Sequence, residues 1–419
     1  MRVQSKGETI PPLSDIAGES KLKRSLTLPL VVLYGLGVTI GAGIYVLIGA
    51  TAANAGLFAP MSFLLAAFVM TFSACSFAEL TGRMPVSAGE AAYVKWGFHS
   101  DIISIFVGLL VIAAGSVSAA AICVGSAGYI KYFIDVPDEI IITTVIIMMG
   151  LIAAWGIVES VTFAAVLTVI EIGALLIIAF AGLYFKPEII NRMPEVVPLT
   201  YSPESWAAIM SAGLLAFFAF VGFEDLVNVA EEVKEPEKTL PKAIFLTLII
   251  STFIYLLVVT VSVLIVPMDV LANSKAPLND VYFYATGGSP TWISVVAIFA
   301  TLNGVIVQMV MGSRVLYGLA RQNNLPSIFA RVHPGTQTPL IATGLVVFII
   351  FLLATFFPLE GLAEMTSRVT LTIFALVNMA LLKIKMEDAP APPGIFTVGK
   401  WVPFVGFLTC LGLLSADYF

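Results

Sequence analysis

The stretch Thr39-Ile40-Gly41-Ala42-Gly43-Ile44-Tyr45 lies in the middle of an apolar segment that is long enough to cross a bilayer. Each glycine costs about 1 kcal/mol of helix propensity relative to alanine, so this stretch favours an opening of the helix. Lipid cannot satisfy the backbone groups that an opening frees, but a protein-lined or water-filled cavity can. Freed amides and half-helix ends can hold an ion or a charged ligand. The alternative is a close-packing surface, since Gly37 and Gly41 also form a GxxxG step.

Composition indicates a polytopic membrane protein. Of the 419 residues, 59% are hydrophobic and 11% are charged, whereas soluble domains carry about 25% charged residues. The three cysteines, Cys75, Cys123 and Cys410, have no metal-binding spacing, and both histidines lie in predicted loops. We therefore expect no catalytic centre, no metal and no cofactor, and nothing in the pattern points to nucleic acid as a partner.

Length and apolarity predict eleven membrane spans. Their expected bounds are 28–53, 57–81, 101–130, 139–157, 160–185, 204–231, 241–266, 291–319, 338–357, 361–384 and 400–416. The last segment is short and contains Pro403, so a re-entrant or interfacial segment is the alternative there. We expect an integral protein of the plasma or cell membrane, with membrane lipid as a partner.

Basic residues are distributed unequally about these spans. With the N-terminus in the cytoplasm, sixteen of the 21 lysines and arginines lie inside and four outside, and Arg368 lies within a span. Cytoplasmic loops carry such an excess, so the distribution supports both the span count and this orientation. The tail 1–27 is too polar for a signal peptide, and the first span is therefore predicted to be uncleaved.

A second interruption, Phe220-Val221-Gly222-Phe223-Glu224-Asp225, falls inside the sixth span. Five spans separate the starts of the two interrupted helices, so the helices enter the membrane from opposite sides. Paired broken helices in two inverted halves indicate a substrate site near the midplane. We therefore predict an all-α fold with a cytoplasmic tail, two inverted five-span repeats and one additional span. The corresponding ranges are 1–27, 28–185, 204–384 and 400–416.

Several stretches resemble the amino acid–polyamine–organocation (APC) family of secondary transporters, which have the LeuT-type inverted-repeat fold. The matching motifs are Gly41-Ala42-Gly43-Ile44; Phe77-Ala78-Glu79-Leu80 with Pro85 and Ser87-Ala88-Gly89-Glu90-Ala91-Ala92-Tyr93; Phe220-Val221-Gly222-Phe223-Glu224 with Ala230-Glu231-Glu232-Val233-Lys234, Pro236 and Pro241; and Ser313-Arg314-Val315-Leu316-Tyr317-Gly318-Leu319-Ala320-Arg321 with Leu325-Pro326. The resemblance covers nearly all of 25–385. Members usually have about twelve spans, one more than we count here.

The resemblance implies that the two breaks form the substrate site. In the family, amides of the first break hold the carboxylate of an amino acid and carbonyls of the sixth span hold its ammonium, which agrees with the charges of helix ends. The candidate residues are Ile40, Gly41, Ala42, Gly43 and Ile44, with Phe220, Val221, Gly222, Phe223 and Glu224. Core packing is the alternative for the two phenylalanines, and a helix cap is the alternative for Glu224.

Glu171 is a lone acid in the apolar fifth span, where many APC members carry lysine. A carboxylate at the centre of a membrane helix costs about 2.5–3.5 kcal/mol, so such a residue is a functional candidate. It could carry a coupling proton, ligate a cation or pair with a basic substrate. A neutral, hydrogen-bonded packing role is the alternative.

Other polar residues near the membrane are weaker candidates. Ser116 and Ser118 of the third span, with Asn303 and Gln308 of the eighth, could line the site or form interhelical hydrogen bonds. Near the predicted cytoplasmic ends, an inner charge network and a solvated face are both possible interpretations of five charged residues. These are Glu79, Glu231, Glu232, Lys234 and Arg314.

The function predicted from these residues is secondary active transport of an amino acid or related amine, with protons or exchange as the candidate coupling. The chain contains no Walker A sequence that would indicate an ATP-driven pump. The rival interpretation is a transporter-like sensor that binds an amino acid without net flux. The sequence leaves open the particular substrate, the coupling ion and the oligomeric state.

Overall fold

The computed structural model of the chain describes residues 24–86, 89–155, 161–198, 202–322, 324–387 and 389–416. Most of the predicted N-terminal tail, motif residues Ser87 and Ala88, and span-boundary positions 157 and 160 lie outside these ranges. Extended backbone pairs only in an isolated parallel bridge between Leu26 and Val233 within the described residues. The described chain is otherwise built of helices and their connections.

Each of the eleven predicted spans contains helix over most of its described residues, which confirms the all-α polytopic prediction. Nine spans contain one uninterrupted helix each. These are Ala59–Arg83 (span 2), Asp101–Ile130 (span 3), Asp138–Trp155 (span 4), Val161–Phe185 (span 5), Pro236–Ile265 (span 7), Thr291–Arg321 (span 8), Leu340–Phe356 (span 9), Leu359–Met386 (span 10) and Trp401–Leu414 (span 11). Eight helices in the described part of the chain are long and apolar enough to cross a membrane, beside three shorter apolar helices.

The two remaining spans are broken where the sequence predicted interruptions. Span 1 consists of Leu28–Ile40 and Ala42–Ala55, with Gly41 between the two helices. Span 6 begins with the helix Pro203–Phe218 and continues, after a turn over 219–222, as the 3₁₀ helix Phe223–Glu232. The first break is therefore one residue long, whereas the second changes the helix type for the rest of the span.

Helix packing separates the spans into two groups. Spans 1, 2, 6 and 7 pack on one another, and we call this group the bundle. Spans 3, 4, 8 and 9 form a second group, which we call the scaffold, and spans 5 and 10 contact members of both. A helix that is apolar all round can be buried by such packing or face lipid, and both situations occur here.

Connections between the spans close the two ends of the molecule. The helices Met268–Ala272 and Pro277–Thr286, between spans 7 and 8, cover one end of span 1. A Cβ atom on Gly49 would lie 2.7 Å from the Leu271 carbonyl oxygen, so this cover fits closely. At the opposite end of the molecule, the Leu26 amide donates to the Glu232 carbonyl oxygen over 3.0 Å. The start of span 1 is thereby tied to the end of span 6.

The environment of Glu79 distinguishes between the two interpretations of the charged residues at the span ends, an inner charge network and a solvated face. Its side chain is fully buried, and its carboxylate accepts hydrogen bonds from Arg83 Nε at 2.9 Å and from Lys385 Nζ at 2.6 Å. The solvated-face interpretation is therefore wrong for Glu79, because a buried carboxylate is stable only with paired donors. Lys234 and Arg314, in contrast, are exposed.

Candidate functional site

The two helix breaks lie directly against each other. A Cβ atom on Gly43 would lie 2.6 Å from the Ala219 Cα atom, which is closer than side chains approach backbone. Gly222 has a φ of 122°, and a Cβ atom there would lie 2.7 Å from Val38 Cγ1. Glycine is therefore required at Gly43 by space, and at Gly222 by both space and backbone conformation. Gly41 is less confined, since its nearest neighbour would be 3.4 Å away.

A tyrosine of span 7 joins the two breaks. The Tyr255 hydroxyl oxygen lies 2.6 Å from the Thr39 carbonyl oxygen and 2.7 Å from the Ala219 carbonyl oxygen. These two carbonyls belong to span 1 and span 6, and the hydroxyl shares its one proton between them. Tyr255 is fully buried, where a tyrosine hydroxyl needs a partner. The breaks are therefore fixed relative to each other within the bundle.

Glu224 caps the second break. Its Oε2 atom accepts a hydrogen bond from the Gly222 backbone amide at 2.8 Å. The carboxylate thus stabilises an amide that the turn at 219–222 leaves without a helical partner. This contact corresponds to the capping role that the sequence left as an alternative for Glu224.

Both phenylalanines of the second break are fully buried in aromatic clusters. Phe220 packs against Tyr255 with ring centroids 4.9 Å apart, and Phe63 of span 2 joins the same cluster. Phe223 packs against Phe374 of span 10 at 5.4 Å. In this conformation both rings contribute to packing, and Phe223 also links the bundle to span 10.

A small cavity lies beside the second break, between the bundle and the scaffold. The lining residues come from spans 3, 6, 8 and 10 and from the short helix Gly89–Phe98. They are Glu90, Val111, Ala114, Gly115, Ser118, Val221, Glu224, Asp225, Gln308, Met311, Thr370, Ile373 and Phe374. The space inside amounts to about 30 Å³, which is room for about two water molecules. The cavity is therefore too small to hold an amino acid in this conformation.

Three carboxyl groups, those of Glu90, Glu224 and Asp225, line this cavity. Asp225 Oδ1 accepts a hydrogen bond from Asn228 Nδ2 at 3.2 Å. Glu90 lies outside the membrane spans. Burial raises the pKa of its carboxyl group to about 7, although a backbone hydrogen bond acts in the opposite direction and lowers it. The lining therefore combines three carboxyl groups with mainly apolar side chains.

The structure brings four of the predicted residues together at this cavity, namely Ser118, Gln308, Val221 and Glu224. The first-break residues, Ile40 to Ile44, do not line it. Ser116 instead donates to the Ile112 carbonyl oxygen of its own helix at 2.8 Å.

Glu171 lies apart from the cavity but close to the first break. Its side chain is buried, and its backbone carbonyl accepts a hydrogen bond from the Tyr45 hydroxyl at 3.1 Å. Tyr45 begins the second turn of the helix that follows Gly41. Glu171 is thus positioned on span 5 against span 1 rather than against the second break. Asn303, on the same helix as Gln308, also lies away from the cavity lining.

Four residues of the site were missed as candidates from the sequence: Tyr255, Glu90, Asp225 and Thr370. Two of them stand inside quoted motifs, since Glu90 belongs to the loop after span 2 and Asp225 follows Glu224. Tyr255 carried one usable signal, because a tyrosine in the middle of an apolar span must find a hydrogen-bond partner. Thr370 carried none, since threonine commonly bonds within its own helix.

A helical membrane protein in which two broken spans meet beside a small cavity with polar groups has the architecture of a transport protein. The chain matches the amino acid permease family over residues 26–418, and it belongs to that family. Its members and relatives are permeases and transporters, so the chain is an integral membrane transporter for amino acids and not an enzyme.

Individual relatives differ in what they carry. The chain is 29% identical to the branched-chain amino acid permease BcaP of Bacillus subtilis (strain 168), covering 95% of this chain and 89% of that protein. It is 27% identical to the vacuolar cationic amino acid transporter 4 of Arabidopsis thaliana, covering 90% of this chain and 66% of that protein. It is 26% identical to the methylthioribose transporter of Bacillus subtilis, covering 95% of this chain and 89% of that protein.

Proposed function

We propose that this protein moves an amino acid across the membrane as a secondary active transporter, by rocking of the bundle against the scaffold. The observation that carries the proposal is the Tyr255 hydroxyl bridge, because it joins both breaks inside one group of helices. The cavity beside the breaks has Val221 of the bundle on one wall and Gln308 of the scaffold on the other. Separation of the two groups would enlarge this small cavity and give it access to one side of the membrane.

The backbone at the breaks suits the two charged ends of an amino acid. The helix Ala42–Ala55 begins at the first break, and no side chain caps its amides. Helix N-termini attract anions, so these amides are the proposed site of the α-carboxylate. The helix Pro203–Phe218 ends at the second break, and its last carbonyls are the proposed site of the α-ammonium. Both assignments follow the family resemblance and agree with helix-end electrostatics.

Coupling to protons, or exchange of one amino acid for another, completes the proposed cycle. Glu171 is the candidate proton carrier, because it is a buried acid beside span 1. The names of the relatives include both branched-chain and cationic amino acids, and this range supports an amino acid without specifying its side chain. The cytoplasmic N-terminus and the two inverted repeats, 28–185 and 204–384, are part of the same proposal.

Uptake by purified protein in proteoliposomes tests the proposal. Radiolabelled amino acids should accumulate when a proton gradient or a high internal concentration of unlabelled amino acid drives them. Protein-free liposomes provide the control for leakage. Binding of an amino acid with no flux under either driving force would refute transport and favour the sensor interpretation.

A further inference from the structure

The carboxyl groups of the cavity have no basic partner in its lining. Glu90, Glu224 and Asp225 are exposed by only 6%, 9% and 4%, and no lysine, arginine or histidine lies among the lining residues. Buried carboxylates that face one another repel, and each also loses its hydration. Ionisation of all three groups is therefore unfavourable unless a cation enters the cavity.

Two hydrogen-bond acceptors on the other walls are also without a partner in the described part of the chain. Gln308 Oε1, on span 8, and Thr370 Oγ1, on span 10, are buried and make no hydrogen bond there. The two side chains are exposed by only 7% and 2%. A native protein rarely leaves such atoms unsatisfied. A ligand that brings several N–H donors would satisfy both atoms and the carboxylates at once.

Cationic groups of organic molecules have this donor pattern. An ammonium group has three N–H donors and no acceptor, and a guanidinium group has five N–H donors and no acceptor. Carboxylates bind both kinds through charge-assisted hydrogen bonds, which are about twice as strong as neutral ones. A metal ion is a weaker candidate, because no three histidine, cysteine or acidic side chains in the described residues are grouped so that they could hold one.

We propose that the cavity lined by Glu90, Glu224, Asp225, Gln308 and Thr370 binds the side-chain cation of the substrate, an ammonium or a guanidinium group. Val221 belongs to the second break and also lines the cavity, so a side chain can extend from an amino acid at the breaks into this subsite. The inference rests on the transport function proposed above, and it specifies a basic amino acid as the substrate class.

Matched ligand pairs test the charge requirement directly. The full chain in lipid nanodiscs is titrated with L-arginine and L-citrulline, and then with L-lysine and L-norleucine. Each pair differs mainly in side-chain charge. The titration is run at about pH 8, above the pKa of Glu90. We expect the charged member of at least one pair to bind tenfold or more tightly than its neutral partner. Equal affinities within both pairs would overturn the proposal.

Variants then locate the charge that makes the selection. Asp225→Asn and Glu90→Gln should each reduce the preference for arginine over citrulline several-fold, while the affinity for citrulline stays within a factor of two. Glu171→Gln is the matched control, because it neutralises a buried acid outside the cavity, and it should keep the preference of the parent. Two results would overturn the assignment to this cavity. In the first, the double variant Asp225→Asn and Glu90→Gln keeps the preference for arginine over citrulline. In the second, only Glu171→Gln removes that preference.

The binding assay with ligand pairs and the uptake assay test the cation subsite and the transport function separately. If the protein accumulates leucine in proteoliposomes but binds arginine no better than citrulline, transport stands and the cation subsite is wrong. If the protein prefers arginine in nanodiscs but accumulates nothing, the subsite stands and transport is wrong. The parent protein decides both outcomes even if a variant fails to fold.

Discussion

Replacement of Tyr255 by phenylalanine removes the one hydroxyl that joins the two breaks. Phenylalanine keeps the ring, and with it the contacts to Phe220 at 4.9 Å and to Phe63 at 5.8 Å. The carbonyl oxygens of Thr39 and Ala219 both lose this donor. A buried group left without its partner costs about 1–3 kcal/mol. If this free energy is lost from the conformation that binds the amino acid, the affinity for the amino acid decreases by about 5–150-fold.

The measurement compares ligand affinity and thermal unfolding for Tyr255→Phe and for a control with an equally buried hydroxyl. Tyr129→Phe is suitable, because the Tyr129 hydroxyl donates to the Tyr45 carbonyl oxygen at 2.5 Å and Tyr129 is fully buried. Both variants lose one hydroxyl bonded to backbone, so both should unfold at a lower temperature. Only Tyr255→Phe removes a bond between the breaks, and only it should lose affinity by the larger factor.

Two results would refute this reasoning. Unchanged affinity in Tyr255→Phe, with the variant less stable, would mean that the hydroxyl supports the fold but not the geometry of the site. Equal losses of affinity in both variants would mean that the loss of any buried hydroxyl contact to span 1 weakens binding, so the bridge between the breaks would have no special role.

Three further predictions concern the breaks, the orientation and the coupling. Gly43→Ala should lose ligand binding, because its Cβ would lie 2.6 Å from backbone of the second break. Gly41→Ala is the control: its Cβ would have 3.4 Å of space, so this variant should bind ligand with an affinity within a few-fold of the parent. Equal affinities of the two variants would contradict this prediction. A reporter inserted after Lys385 should be cytoplasmic and one after Lys275 external, and the same side for both would contradict the inverted repeats. Glu171→Gln should still bind and exchange substrate but lose accumulation driven by a proton gradient, and unchanged accumulation would make Glu171 a structural residue.

Local sequence was sufficient to locate the spans and both breaks. Apolar length predicts membrane helices because lipid forces the backbone to satisfy its own hydrogen bonds. Glycine at Gly41 and Gly222 indicates where that pattern fails, and the breaks occur at these two residues. The 3₁₀ conformation after Gly222 was not predictable, since apolar length and glycine positions do not distinguish a 3₁₀ helix from an α-helix.

The cavity could be predicted only in part, because its walls come from distant segments. Ser118 and Gln308 were candidates as polar residues in apolar spans, and both line it. Ser116, which is two residues from Ser118, looked equally suitable and bonds its own helix instead. Sequence spacing does not give the rotation of span 3 about its axis, and that rotation decides which serine faces the cavity. Tyr255 illustrates the same limit, since its partner Thr39 is 216 residues away.

The buried charges around Glu79 constrain the rocking movement that we propose for the bundle. Glu79 is on span 2, and its carboxylate bonds Lys385 at the end of span 10 and the Val398 backbone amide before span 11. Removal of one partner from a buried ion pair costs about 3–5 kcal/mol, so this contact is expensive to break in the middle of a cycle. Span 10 also contacts the scaffold, most extensively through span 3. In the proposed rocking movement, the Lys385 end of span 10 and Phe374, which packs on the second break, would both follow the bundle, so span 10 would have to bend or slide where it contacts span 3 of the scaffold.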